Sequence, residues 1–238
     1  MSNIISSGNE LLKFNSGEVI EVSERFPIPI PTMWLRADAG IVKDAIDKVS
    51  QWQDQSGNDY HAEQETQANK PLLVDGAVTG NPVLRFAGSQ FMTLQFGEIY
   101  PQPITIFTVW SLDTTGNRMA WDNYSGGRFY LYRMASNEQM WINAENVSLS
   151  YPKADGSFPH LLSTSVFNGQ FSQMYENGNI KATGNASTGG CNGLNIGRYK
   201  LNSLFLSGDI AEIIFYNSLL SDPQRQSVEQ YLMAKYAL

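Results

Sequence analysis

Residues 103–110, PITIFTVW, read as a strand that is apolar on both of its faces. With the two-residue period of a strand, Ile104, Ile106 and Trp110 lie on one side and Phe107 and Val109 on the other. Such a strand is buried between two layers. Around it, runs rich in apolar and aromatic residues are separated by turns such as DTTGN, NYSGG and ENGN. The chain is therefore predicted to be all-β, an antiparallel β-sandwich.

Residues 208–236, GDIAEIIFYNSLLSDPQRQSVEQYLMAKY, predict one further buried strand that runs into a single C-terminal helix. Ser221 is a candidate helix N-cap, Pro223 follows in the first turn, and Gln224 completes a capping-box pattern. The helix is expected to cover a sheet edge or an end of the sandwich.

In the predicted helix, helical spacing is followed by Val228, Tyr231, Leu232 and Lys235/Tyr236, so one face is expected to pack on the sandwich. Arg225 and Glu229 are four residues apart, and we expect them to pair on the exposed side.

The N-terminal residues read differently from the rest of the chain. In ELLKFNSGEVIEV, two short apolar runs flank Asn15, Ser16 and Gly17, which is a hairpin signal. The prolines of RFPIPIP then favour an extended chain. Because an isolated hairpin is barely stable in water, this arm is expected to dock on its own domain or on a neighbouring subunit. The predicted division is an arm over 1–31 and a sandwich domain over 32–238.

Composition excludes several classes of protein. The net charge is −7 and no Lys/Arg cluster occurs, so nucleic acid is not an expected partner. No apolar run is long enough to span a bilayer, and the first residues lack the pattern of a signal peptide. The lone Cys191, in the glycine-rich TGGCNG, cannot form an intrachain disulfide and is expected to be structural.

Several motifs in order resemble one family. MWLRADAGI (33–41), QWQDQSGNDYHAEQ (51–64), NPVLRFAGSQFMTL (81–94), LNIGRY (194–199) and the closing segment resemble laminin-G-like, concanavalin A-like jelly-roll domains of bacterial surface proteins and phage structural proteins. The resemblance covers about residues 32–238. It implies a jelly-roll fold and a glycan-binding, adhesive or architectural role. SGNDYHA departs from it, since such domains often have a second glycine there.

Catalytic patterns are sparse. Jelly-roll glycosidases use paired carboxylates on one strand face. Asp209 and Glu212 are three residues apart and are expected to point to opposite faces of their strand. His61 and His160 have no further ligand at metal-binding spacing and are expected to be structural. The chain is therefore expected not to be an enzyme, with a glycoside hydrolase as the remote alternative.

Two binding sites are candidates. Glycan binding needs aromatic platforms beside polar side chains, a mixture found at Trp121, Asp122, Asn123, Tyr124, Arg128 and Trp141. Calcium would use loop oxygens, and the candidates are Asp54, Asn58 and Asp59, with Asp122 and Asn123 as a second group. For both groups, turn formation is the favoured interpretation.

These observations predict a non-enzymatic, surface-displayed binding or structural module. The leading hypothesis is a phage virion protein, a capsid decoration protein or tail-associated adhesin, whose arm attaches it to other virion proteins. It would lie on a virion surface or outside a cell, with cell-surface glycan as a further partner and homo-oligomerisation open. The alternative is a stand-alone bacterial lectin domain.

Overall fold

A computed structural model describes residues 30–113, 116–134, 138–153 and 158–238, and the backbone of three short strands before residue 30. The chain divides into two compact units, Met1–Ile30 and Pro31–Leu238. In the first unit, β1 (Ile5–Ser6), β2 (Asn9–Lys13) and β3 (Val19–Val22) form an antiparallel sheet, with β2 paired to β3. The predicted turn at 15–17 and the proline-rich segment 25–29 lie outside the described residues.

The described residues of the second unit form seventeen strands, two short 3₁₀ turns (Gln67–Asn69 and Gly169–Phe171) and one helix. The strands are β4 (Met33–Arg36), β5 (Ile41–Lys43), β6 (Val49–Trp52), β7 (Ala62–Glu63), β8 (Leu72–Gly76), β9 (Gly80–Ala87), β10 (Met92–Tyr100), β11 (Ile104–Leu112), β12 (Arg118–Asn123), β13 (Tyr130–Met134), β14 (Gln139–Asn143), β15 (Ser148–Pro152), β16 (Phe158–Phe167), β17 (Ser172–Glu176), β18 (Asn179–Gly184), β19 (Cys191–Ile196) and β20 (Ser207–Tyr216). The helix α1 spans Asp222–Tyr236.

These strands form two antiparallel sheets. Sheet I has the order β15-β14-β13-β12-β19-β10-β7-β6-β5, and sheet II has the order β18-β17-β16-β11-β20-β9-β8, with β4 also paired to β20. Side chains between the sheets make one large apolar core that includes Trp52, Trp110 and Trp121, all fully buried. The predicted all-β antiparallel sandwich with one C-terminal helix is confirmed.

Strand β11 is buried on both faces, as the sequence predicts, because a different layer covers each one. Ile104, Ile106 and Trp110 belong to the core between the sheets. Phe107 lies opposite Thr164 of β16 and Val109 opposite Glu212 of β20, so these residues share the outer face of sheet II. That face is covered by α1.

The helix crosses the middle of sheet II, so the expectation that it covers a sheet edge or sandwich end is wrong. Glu229 accepts a hydrogen bond from Thr164 on β16 (2.8 Å), and Tyr236 donates one to Glu212 on β20 (2.7 Å). The capping box is confirmed, with the Ser221 N–H donating to Gln224 Oε1 at 3.0 Å.

The predicted pair of Arg225 and Glu229 forms, but it is buried rather than exposed. Arg225 is 6% and Glu229 1% exposed, and the guanidinium also lies 3.9 Å from the centre of the Tyr175 ring. The pair faces the sheet because Glu229 must reach Thr164 on β16.

A β-bulge in β20 overturns the expected facing of its two carboxylates. Trp110 lies opposite Ile210 and Val109 opposite Glu212, so Ala211 is an extra residue in β20. As a result Ile210 and Ile213 both point into the core, and Asp209 and Glu212 both point to the outer face. Both carboxylates are occupied: Asp209 pairs with Arg85 through two 2.8 Å contacts, and Glu212 bonds Trp34, Lys235 and Tyr236.

The cysteine and the two histidines considered in the sequence analysis are part of the folded structure. Cys191 is the first residue of β19 and is fully buried, and that burial raises the pKa of its thiol to about 12. His61 Nδ1 accepts a hydrogen bond from the Asp54 N–H at 3.1 Å. His160 lies 3.6 Å from Asp209, and burial lowers the pKa of its imidazole.

Among the residues that the structure describes, no helix is long and apolar enough to cross a membrane.

Candidate functional site

The six residues predicted to bind glycan do not form one surface. Trp121 lies in the core between the sheets, fully buried, with its indole N–H donating to Thr108 Oγ1 at 3.0 Å. Its ring stacks on Phe129 with centroids 6.1 Å apart. Because neither face of the ring reaches solvent, Trp121 supports the fold and cannot serve as a sugar platform.

Asp122 and Asn123 are also buried, and their side chains shape the following loop. Asp122 accepts hydrogen bonds from the backbone N–H groups of Asn123 (2.8 Å) and Lys200 (3.1 Å), and burial raises the pKa of its carboxyl group. Asn123 donates to the Gly127 carbonyl at 3.1 Å. The Lys200 ammonium donates to the same carbonyl at 2.6 Å. Asp122 and Asn123 therefore stabilise the loop through hydrogen bonds from its buried side.

Tyr124 and Arg128 are the members of the predicted set that lie on this loop at the rim of the sandwich. Tyr124 is half-buried and Arg128 is exposed. The loop is fixed to the neighbouring segment 187–192, since Asn192 donates to Ser125 Oγ at 2.8 Å and its backbone N–H donates to Asn123 Oδ1 at 3.0 Å.

Trp141 lies elsewhere, on the outer face of sheet I. It is half-buried beside Tyr132, its partner across the β13–β14 ladder, in a cluster with Tyr130 and Tyr199. Its indole N–H is buried and has no hydrogen-bond partner among the described residues. The structure thus separates Trp141 from the rim loop that the sequence grouped with it.

The predicted calcium residues form a turn instead of an open cluster of oxygens. The Asp54 carboxylate is 7% exposed and accepts hydrogen bonds from Trp34 N–H, Tyr60 N–H, and the N–H and hydroxyl of Ser56, at 2.7 to 3.1 Å. Asn58 donates to the Thr32 carbonyl at 3.0 Å, and the Asp59 side chain is 90% exposed. Within the described ranges, no three His, Cys, Asp or Glu side chains come together as a metal site would require.

The rim holds a pocket that none of the predicted residues lines. It has a volume of about 580 Å³ and is lined by Pro101, Gln102, Asn168, Gly169, Gln170, Phe171, Asn185 and Thr188. The segment 187–192 connects it to the rim loop of Tyr124 and Arg128. The size falls within the roughly 300–1,000 Å³ of small-molecule sites.

Gln102 holds the two walls of the pocket together. Its amide NH₂ donates to the Ser187 carbonyl (3.1 Å) and the Gly189 carbonyl (2.8 Å), and its amide oxygen accepts the Gly169 N–H at 2.7 Å. Gly169 has φ +55, a left-handed conformation that favours glycine at this turn. The walls are therefore set by hydrogen bonds within the protein before any ligand arrives.

The pocket presents one bare aromatic ring and several unused polar groups. Phe171 is 69% exposed, so its ring is accessible to a ligand in the pocket. The amide groups of Asn168 and Gln170 and the hydroxyl of Thr188 have no hydrogen-bond partner among the described residues. Asn185 uses only its oxygen, which accepts the Ser187 N–H at 2.7 Å. Free amides and a hydroxyl around an exposed ring can hydrogen-bond a polar ligand that also has an apolar face.

Sequence patterning missed this site because Gln170 and Phe171 read as the start of the strand QFSQMYENG. In the structure they belong to a 3₁₀ turn, and the strand begins at Ser172. The dipeptide Asn168-Gly169 was the available signal for a turn.

No protein-family model matches the chain, and no curated protein matches it in sequence. Domain 4 of AbnA, a GH43 extracellular arabinanase from Geobacillus stearothermophilus in complex with arabinotriose, is similar in structure: TM-score 0.60, 14% identity, covering 84% of this chain and 98% of that one. Trypanosoma rangeli sialidase in complex with sialic acid gives a TM-score of 0.60 at 12% identity, covering 94% of this chain and 36% of that one.

The ligand-binding domain of botulinum neurotoxin serotype D, in complex with N-acetylneuraminic acid, is also similar, with a TM-score of 0.59 at 12% identity over 86% of this chain and 51% of that one. The chain spans about a third of the length of the sialidase chains that it matches. At these identities the likeness establishes the fold, a β-sandwich that also occurs in proteins solved with bound sugars.

Proposed function

We propose that this protein is a non-enzymatic carbohydrate-binding module and that it binds sugar in the rim pocket. The observation that carries the proposal is the exposed ring of Phe171 surrounded by the unused amides of Asn168, Gln170 and Asn185. One face of a sugar ring is rich in C–H groups and can lie on an aromatic ring, while its hydroxyls bond the amides at the edge.

Binding without catalysis is supported by the state of the buried carboxylates. Asp209 and Glu212, the pair considered for glycosidase chemistry, are 2% and 1% exposed and are held by Arg85 and by the donors around α1. Neither lines the pocket. A carboxylate that acts on a glycosidic bond has to reach the sugar, and these two are covered.

We further propose that the sandwich is a laminin-G-like domain displayed outside a cell, on a virion such as that of a phage or on another surface. The division of the chain into Met1–Ile30 and Pro31–Leu238 supports a separate attachment segment. The alternative is a stand-alone lectin in which those residues have no attachment role. Removing residues 1–31 tests this, because attachment to the particle would be lost while glycan binding by the sandwich is retained.

A glycan array with the full-length protein tests the carbohydrate proposal. We expect specific binding that is lost in Phe171→Ala. Leu201→Ala is the matched control, because Leu201 is 72% exposed and lies outside the pocket, so its truncation removes similar apolar surface without touching the site. A blank array from folded protein, or equal loss in both variants, would contradict the proposal.

A further inference from the structure

We infer that the rim pocket selects neutral sugars and rejects anionic ones such as sialic acids; this inference rests on the proposed function. Phe171 and the amides of Asn168, Gln170 and Asn185 supply stacking and hydrogen bonds, but none of the described residues that line the pocket has a charged side chain. The choice of sugar class follows from that composition.

An anionic sugar would lose water around its carboxylate on entering the pocket and gain no cation in return. Recognition of a carboxylate usually relies on Arg, which presents two parallel N–H donors, or on Lys. Within the part of the chain that the structure describes, neither Arg nor Lys lines the pocket. An uncompensated charge is costly to desolvate, whereas a neutral hydroxyl exchanges water for an amide at little net cost.

The charge around the pocket also opposes an anion. Glu145 packs against Gly189, the neighbour of Thr188, so closely that a β-carbon on that glycine would lie 3.2 Å from the carboxylate oxygen Oε1. The chain as a whole has a net charge of −7. The overall field therefore disfavours a negatively charged glycan, and the cations of the rim loop, Arg128 and Lys200, are not among the described residues that line the pocket.

The unused amides match a neutral polyol well. Each amide has both a donor and an acceptor, as does each sugar hydroxyl, so one amide can bond two neighbouring hydroxyls. Asn168 and Gln170 retain both functions, and Asn185 retains its donors. The ring of Phe171, in the same turn as Asn168 and Gln170, sets the plane on which the sugar lies.

The test uses full-length protein and matched pairs of glycans. Each pair consists of a neutral oligosaccharide and the same oligosaccharide capped with sialic acid, and arabinotriose is a further neutral probe. We expect binding to neutral members, with the capped partners at least about tenfold weaker at low ionic strength. Gln170→Arg places a cation at the pocket and should reduce or reverse the ratio of the affinity for the neutral glycan to the affinity for its capped partner. Gln95→Arg, at an exposed position on β10 outside the pocket, adds the same charge and should leave the ratio unchanged.

The outcomes separate this inference from the proposed function. If capped glycans bind better than neutral ones and Phe171→Ala abolishes that binding, the pocket binds sugar but the inferred class is wrong. If neutral glycans bind and Phe171→Ala has no effect, the pocket is not the site and both statements fail. If no glycan of either class binds, the proposed function fails, and the inference fails with it.

Discussion

The carboxylate of Glu212 on β20 and the phenol of Tyr236 in the last turn of α1 are joined by a 2.7 Å hydrogen bond buried beneath the helix. The same carboxylate accepts the Trp34 indole N–H at 2.6 Å and the Lys235 ammonium at 2.7 Å. One buried anion therefore ties the first strand of the sandwich, the bulged strand β20 and the helix together.

Removing one donor from this carboxylate should weaken the fold measurably. Tyr236→Phe keeps the ring and loses the bond to a charged acceptor, so we expect the free energy of unfolding to fall by about 1.5–3 kcal/mol in urea titrations. Tyr124→Phe is the control, since that phenol is half-buried and makes no hydrogen bond with the described residues. Equal stability of the two variants would show that the bond contributes nothing.

Asp38 should make the protein sensitive to acid. Burial opposes ionisation of this carboxyl, but the two 2.6 Å bonds from Arg36 and the attraction of Lys235 outweigh it and lower its pKa from 3.8 to about 2. Because the folded pKa lies below the unfolded one, the stabilisation is fully present above about pH 4. It is lost as the pH falls towards 2.

The substitution Asp38→Asn tests this assignment. Its free energy of unfolding should be lower than that of the wild type at pH 7 and should fall less steeply between pH 4 and 2. Asp59→Asn is the control, because the Asp59 side chain is 90% exposed. If the free energy of unfolding of Asp38→Asn fell with pH as steeply as that of the wild type, other carboxylates would account for the acid sensitivity.

The two tryptophans of the predicted glycan set should behave differently. Trp121→Ala empties a core position and should cost about 3–5 kcal/mol of stability. Trp141→Ala on the half-buried outer face of sheet I should cost roughly 1–2 kcal/mol. Thermal or urea unfolding of both variants distinguishes them, and similar losses would place Trp141 in a core role as well.

Gln102 should act on sugar binding through the walls of the pocket. Gln102→Ala removes three hydrogen bonds, so we expect faster hydrogen exchange at the Gly169 amide together with weaker glycan binding. Gln95→Ala on β10 should change neither. Full affinity in a variant whose Gly169 amide exchanges rapidly would show that the walls need no such support.

Calcium should leave the stability unchanged. The Asp54 carboxylate is already used by four protein donors, so we expect the same Tm with calcium and with EDTA, and a loss of about 1–3 kcal/mol in Asp54→Ala. A rise in Tm with calcium that disappears in Asp54→Ala would restore the metal site.

Much of the architecture was predictable because it depends on local patterns. Short segments of sequence are enough to predict the two apolar faces of β11 and the Ser221–Gln224 capping box. The burial of Glu229 was not predictable in this way, because it depends on Thr164, which is 65 residues away in sequence. The bulge at Ala211 likewise follows from how β20 pairs with β11, which alternation within one strand cannot express.

The candidate site was harder to predict than the fold. Trp121 and Phe171 are both aromatic residues next to polar ones, yet the first is fully buried and the second 69% exposed. Which of them meets solvent is decided by sheet pairing and by a single 3₁₀ turn. Composition points to sugar chemistry without locating it.

The burial of Cys191 makes the chain convenient for labelling chemistry. Its thiol is buried at the start of β19 and stays protonated, so the folded protein presents no thiolate there to react with a maleimide. Thr183→Cys, at an exposed position on β18 two residues before Asn185, would then supply the one reactive thiol among the described residues. A fluorophore attached there would report ligand entry into the rim pocket without replacing a lining side chain.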